Sequence, residues 1–386
     1  MRVRRGAVRW ITVDDRVRAV EVNGFTSIGR AFLELRDLNV LIGANGAGKS
    51  NFIRALELLA QIVNQRLSLY VGEAGGASAI LNKRSPVEEI RLVLDAGTYR
   101  YVVSLTPSAD DRLIFAVEEV GTRESEAADW HAVSMGRGHK ETELLTTGFV
   151  EGPGRWAANR VVDLLHGCRV YHFHDTSRRA PVKRSTSVAD NLMLRPDAAN
   201  LAAVLARYRE SGRPDEMAAY RRIVGVVNQV APFFDDFVLE PHGADNIQLR
   251  WRERQTDSVF FADQMSDGTL RFVCLATLLL SPELPRLVVL DEPELGLHPS
   301  AIVQLAALVR SASHRSQILL ATQSVTLLNQ FDPDDVVVVE RSDDGTTLRR
   351  PSQVVLANWL DDYSLGELWE KNIIGGRPGR AGGSLA

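Results

Sequence analysis

Gly43-Ala44-Asn45-Gly46-Ala47-Gly48-Lys49-Ser50-Asn51 carries the full G-x-x-x-x-G-K-[ST] spacing of a phosphate-binding loop, the Walker A motif. The residue types dictate the chemistry. Glycines permit positive φ and close backbone approach, so amide N–H groups converge on an anion at the mouth of a helix. In that arrangement Gly43, Asn45, Gly46, Ala47 and Gly48 line the α- and β-phosphates, Lys49 reaches the β- and γ-phosphates, and the Ser50 hydroxyl ligates Mg²⁺. A second set lies far downstream, where Leu287-Val288-Val289-Leu290-Asp291-Glu292 is an apolar run ending in paired carboxylates, a Walker B pattern. Asp291 would hold Mg²⁺ through water. Glu292 would orient and polarise the attacking water as general base.

Elements of defined type must bring these residues together. Leu38 to Ile42 reads as a buried parallel strand and Asn51 to Ile62 as an apolar-periodic helix, so the loop opens onto a helix N-terminus. Met265-Ser266-Asp267-Gly268-Thr269 presents small and polar groups before the apolar helix Leu270 to Leu280. After Pro293-Glu294-Leu295-Gly296-Leu297-His298-Pro299 come a helix, 301–311, and a strand, 317–321, that ends in Thr322-Gln323-Ser324. Three strands thus carry polar residues at their C-terminal ends, where parallel α/β sheets collect ligands.

Upstream, 18–22 and 31–35 alternate as two strands around Asn23-Gly24-Phe25 and are expected as a hairpin beside the loop strand. Phe25 reads as a core residue rather than a base-stacking one. Residues 90–94, 99–105 and 112–120 form an antiparallel meander, and 121–154 a variable loop or sheet edge. Cys168 to Phe173 is a strand whose His172 and His174 share a face; packed or hydrogen-bonded rings are favoured over metal ligation, for want of a third ligand. The run Arg178-Arg179-Ala180-Pro181-Val182-Lys183-Arg184 is read as a solvated cationic loop, with nucleic-acid backbone contact as the alternative. Residues 200–209 and 216–230 make a helical insertion, and 237–240, 247–252 and 259–262 return to strand character.

With 45% apolar residues in 386, the chain can build a real core, and a formal charge of −4 confines any nucleic-acid contact to a local patch. Cys168 and Cys274 sit in apolar contexts, as buried thiols in a reducing compartment with no disulfide between them. No apolar run spans a bilayer and no signal region follows the N-terminal arginines, so the expected location is the cytoplasm, without membrane contact. The expected segments are 1–120, an N-terminal lobe with the glycine loop; 121–262, variable loop, helical insertion and return strands; and 263–386, a C-terminal lobe.

On Gly43 to Ser50, Ser266 to Thr269, Leu287 to Pro299 and Ala321 to Ser324, the sequence resembles the ABC-type ATPase heads of the SMC, RecF and OLD group, and most closely stand-alone AAA_21 ATPases. The resemblance implies an α/β fold: a P-loop NTPase with an ABC-type head, mixed sheet core, antiparallel β meander and helical insertion. It also implies a head-to-tail homodimer sandwiching ATP and Mg²⁺, with Ser266, Asp267 and Gly268 of one subunit closing on the γ-phosphate held by the other. Two departures stand out. Ser-Asp-Gly replaces the transporter Ser-Gly-Gly, and Gln323 replaces the switch His; an amide cannot carry a proton as imidazole does, so slow, switch-like hydrolysis is expected. His174 falls roughly where such heads place a Mg²⁺- and water-sensing Gln, with Asp175 an equal candidate. The separation of Lys49 from Asp291 suits a short-armed head.

The leading functional expectation is a dimerising ATPase acting on DNA, in repair or in defence against phage and other foreign DNA. The alternative is an ATP-dependent switch that docks a separate effector, such as a nuclease, without reading DNA itself. A transporter motor fits least.

Overall fold

The computed structural model describes residues 16–146, 152–242, 245–256, 258–342, 345–352, 356 and 358–376. The chain begins with β1 (Ala19–Phe25), β2 (Ile28–Glu34) and β3 (Leu38–Ile42), followed by α1 (Lys49–Val63), α2 (Leu67–Glu73) and α3 (Ala77–Ile80). Strands β4 (Ile90–Asp95), β5 (Tyr99–Pro107), β6 (Leu113–Thr122) and β7 (His131–Gly136) precede α4 (Pro153–His166) and β8 (Cys168–Tyr171). Then come β9 (Thr186–Ser187), α5 (Leu201–Glu210), α6 (Pro214–Val230), β10 (Phe234–Val238), β11 (Asn246–Ile247), β12 (Arg250–Glu253) and β13 (Val259–Phe261). The C-terminal part holds α7 (Asp267–Leu279), β14 (Leu287–Asp291), α8 (Pro299–Ser313), β15 (Gln317–Thr322), α9 (Val325–Leu328), β16 (Val336–Ser342), β17 (Gly345–Arg349) and a final helix, Leu365–Glu370.

Strands buried on both faces make the centre. The mixed sheet runs β17-β16-β3-β15-β14-β8, parallel except for β17. Side chains alternate across it: Val40, Ile42, Val288, Leu290, Ile318 and Leu320 enter one core, while Leu41, Leu287, Val289 and Leu319 enter the other. The first core is closed by the helices α5 to α9, and the second holds α1 between the mixed sheet and an antiparallel sheet, β2-β1-β4-β5-β6-β7. Enclosed from two sides, α1 buries Phe52, Ile53, Leu56, Leu58, Leu59 and Ile62 at 0 or 1% exposure, apolar around most of its circumference. At about 1.5–3 kcal/mol for each large side chain removed from water, this packing fixes the helix whose first turn follows the glycine loop.

Several expectations change. The β1–β2 hairpin does not lie beside the loop strand; it joins the meander sheet, because its inward residues Val20, Val22, Ala31 and Leu33 face α1. Its turn falls at Thr26 and Ser27, with Thr26 at φ 49, and Phe25 is fully buried as read. Residues 121–154 supply the sheet edge β7 and the start of α4; 147–151 lie outside the described residues. Strand β8 stops at Tyr171, so His172 and His174 follow it rather than share its face, and His172 is exposed. The valine run of β16 and the helix α4 were not anticipated, although Val336 to Val339 is an unbroken apolar run. Cys168 and Cys274 are buried, free thiols. Among the described residues no helix is long and apolar enough to cross a membrane.

Candidate functional site

Strand β3 delivers the chain into the loop, and two close approaches require glycine. A Cβ on Gly43 would lie 2.2 Å from the Val339 carbonyl oxygen; on Gly48, at φ 115, it would meet Thr346 Oγ1 at 2.2 Å. Thr346 is part of a hydroxyl relay that braces the loop: Asn51 Nδ2 donates to Ser27 Oγ (2.8 Å), Ser27 and Thr346 hydroxyls meet at 2.8 Å, and Thr346 Oγ1 donates to Ala47 O (2.9 Å). The Asn51 amide is therefore bound to Ser27. Asn45 and Gly46 are exposed at the crest, and Ser50 is exposed in the first helical turn. Gly48 is the N-cap of α1, which has no side-chain cap and no acidic residue in its first turn, leaving its N–H groups and dipole available to an anion.

Lys49 is 4% exposed, and its Nζ donates to Gly43 O (2.7 Å) and Ala44 O (3.1 Å). Burial lowers its pKa, against the opposing charges of Glu292, Asp291 and Glu294. Those carboxylates arrive by register: β15 pairs Thr322 with Ile42 of β3, and Ala321 with Asp291 of β14, so three strand ends meet at one level. Asp291 Oδ1 is buried and has no hydrogen-bond partner. Glu292 sits at φ 42, a costly conformation for a residue with a Cβ, and receives the Gln323 side-chain amide on Oε1. Glu294, 9% exposed, accepts from Thr322 Oγ1 (2.5 Å) and Gln323 N (3.2 Å), and burial raises its pKa.

His174 is half-buried beside this group. Desolvation lowers its pKa, and the neighbouring Asp291 pulls the other way. Asp175 is exposed and its Oδ1 accepts from Ser177 N (3.0 Å), so of the two sequence candidates only His174 has the carboxylates among its electrostatic neighbours. The His172 and His174 rings stand 6.4 Å apart, and among the described residues no set of three or more His, Cys, Asp or Glu is arranged to hold a metal.

Ser266 caps α7, its Oγ accepting from Thr269 N (3.2 Å); Ser266 and Asp267 are exposed, and a Cβ on Gly268 would fall 2.4 Å from Gly296 O. Two cations tie this element to the rest: Arg271, which the sequence reading passed over, and Lys183, which it placed in the solvated run. The Arg271 guanidinium donates to Phe173 O (3.1 Å), His174 O (2.8 Å) and Leu295 O (2.5 Å). Lys183 Nζ donates to Thr176 O (2.6 Å) and lies 3.6 Å from Asp267 Oδ1. A signal for Arg271 was present, since it is the one charge in the apolar stretch 270–280. Lys183, by contrast, is buried, which corrects the picture of a wholly solvated cationic loop; Arg178, Arg179 and Arg184 are exposed.

The chain matches the family model AAA_21, described as "AAA domain, putative AbiEii toxin, Type IV TA system", over residues 38–136 and 162–329. No curated protein matches. Among solved structures it is similar to an SMC head bound to the C-winged helix domain of ScpA, at 15% identity and TM-score 0.56, covering 88% of this chain and 99% of that one. It is also similar to an SMC head with an extended coiled coil bound to the C-terminal domain of ScpA from Pyrococcus furiosus, at 13% identity and TM-score 0.55, covering 90% and 99%. At such identities the likeness speaks to the fold.

Proposed function

The chain belongs to the AAA_21 family, with a fold like that of SMC heads, and on that premise we propose that it binds and hydrolyses ATP as a dimer whose nucleotide state controls action on DNA in repair or defence. One observation carries the enzymatic part: the ends of β3, β15 and β14 lie in register, and the Gln323 amide rests on Glu292 beside the buried Lys49. The residues suit a nucleotide and its cation. Uncapped N–H groups of α1 and the glycine cradle fit phosphate, and the unpartnered Asp291 Oδ1 together with the exposed Ser50 fits hydrated Mg²⁺. Bound Mg²⁺ would neutralise charge developing between the β- and γ-phosphates. Lys49 would exchange its bonds to Gly43 O and Ala44 O for phosphate oxygens, Glu292 would accept a proton from water, and Gln323 would orient that water. His174, half-buried beside these carboxylates, would lend a hydrogen bond.

Exposed Ser266 and Asp267 support closure across a dimer, as the side chains at the capped start of α7 are accessible to a second copy. The family description, which names a toxin of a toxin–antitoxin system, supports a defence setting. The decisive test is Glu292→Gln with ATP and Mg²⁺: light scattering should report a dimer that wild-type protein holds only transiently, and an unchanged monomer would remove the sandwich mechanism.

The switch alternative has its own support. Lys183 is held by Thr176 and Asp267, so fewer cations of the 178–184 run are available to a phosphate backbone, and SMC heads are found with ScpA domains bound. If the trapped form shows no salt-dependent DNA binding sensitive to Arg178, Arg179 and Arg184, an effector-docking role is the better account.

A further inference from the structure

We propose that Glu294 is a positioning residue for hydrolysis: its buried carboxylate holds the backbone of Gln323 and thereby presents the Gln323 amide to Glu292. The kinetic part of this inference rests on the ATPase reading above; the geometric part does not.

The ladder between β14 and β15 ends where Glu292 N donates to Ala321 O (2.8 Å). Beyond that point the pairing of β14 with β15 ends, Glu292 taking φ 42, and the Gln323 N–H that follows bonds a side chain. Glu294 supplies that acceptor. Its Oε1 takes both the Thr322 hydroxyl and the Gln323 N–H, while Thr322 Oγ1 in turn accepts from Ser324 N (2.9 Å), whose own hydroxyl caps α9 through Leu327 N (3.2 Å). Gln323 is consequently gripped at two points by carboxylates two residues apart, its N–H by Glu294 and its side-chain amide by Glu292. Glu294 Oε2 is buried without a partner, a costly arrangement for a plain strand-end cap. An amide would accept the same two bonds, so Glu294→Gln separates holding from charge.

The test compares Glu294→Ala, Glu294→Gln and Glu294→Asp, each in the wild-type and Gln323→Ala backgrounds. Amide hydrogen exchange over 317–324 is measured on nucleotide-free protein, alongside steady-state kcat and KM for ATP. Glu294→Ala should accelerate exchange at Gln323 and lower kcat about tenfold to a hundredfold at nearly constant KM, the scale expected for misplacing an orienting group. It should cost nothing further once Gln323 is Ala. Glu294→Gln should follow wild type in both readouts. Glu294→Asp, which keeps the charge and withdraws the oxygen, should repeat the loss and serves where the Ala variant fails to fold. Losses that multiply in the Gln323→Ala background, or unaltered exchange at Gln323, would overturn the proposal. Wild-type protein that hydrolyses nothing would defeat the ATPase reading instead, leaving the exchange result to decide the geometry.

Discussion

Around the glycine loop, polar groups are spent on one another: Asn51 on Ser27, Ser27 on Thr346, Thr346 on Ala47, and Lys49 on two loop carbonyls. Across the same cleft, at the carboxylate end, Asp291 Oδ1 and Glu294 Oε2 are buried without partners and Glu292 is held at a positive φ. The first end is assembled before any ligand arrives; the second keeps unspent bonding capacity and backbone strain. A loop must keep its shape whether occupied or empty, whereas groups that meet a cation and a reacting water are useful in proportion to what they leave unsatisfied. Stability and activity should therefore respond in opposite ways to substitutions at the two ends.

The largest effect should come from Asp291→Ala. It should lower Mg²⁺-dependent ATP turnover on the order of a hundredfold or more, yet leave the chemical denaturation midpoint unchanged or raised, since the substitution removes a buried Oδ1 that has no hydrogen-bond partner. A clear drop in that midpoint would erase the contrast. Gly48→Ala should do the reverse through the fold: a Cβ at φ 115 against Thr346 should cost about 2–3 kcal/mol in urea unfolding. Thr346→Val keeps the shape and breaks the relay, leaving Ala47 O without the Thr346 donor and the Ser27 hydroxyl proton without its acceptor, and should cost about 1–2 kcal/mol by the same assay. The smallest response is expected away from both ends. Burial pushes the Cys168 and Cys274 thiols up to about 12, so they stay protonated at pH 8 and should resist iodoacetamide until the protein is unfolded, as mass spectrometry can record.

What the sequence made legible was local. Gly43 to Ser50 with its strand and helix, and Leu287 to Glu292 with its paired acids, depend on spacing within a few residues, and the resemblance they helped to carry implied the fold class. Contacts made at long range were hidden. Nothing near Ala47 announces that a threonine 299 positions later braces it. The hairpin's strands were visible, yet the choice between two sheets depends on which face α1 offers, a tertiary preference absent from the alternation. The same holds for Glu294: its place after Asp291 and Glu292 was plain, but its grip on Gln323 required the strand ends to meet. Arg271 lay between, a lone charge in an apolar helix whose carbonyl partners only the fold reveals.

The strand order carries a consequence for synthesis. Strand β3 emerges from the ribosome well before its two neighbours in the sheet, β15 and β16, which lie far downstream in the sequence. Until those are translated, Leu38 to Ile42 has both edges open and its apolar side chains without the helices that later cover one face. A chain with such distant pairings gathers slowly and exposes a sticky strand in the interval. Truncation anywhere before β15 therefore removes the central strand's first partner, and nascent chains halted there should depend on chaperones far more than the finished protein does.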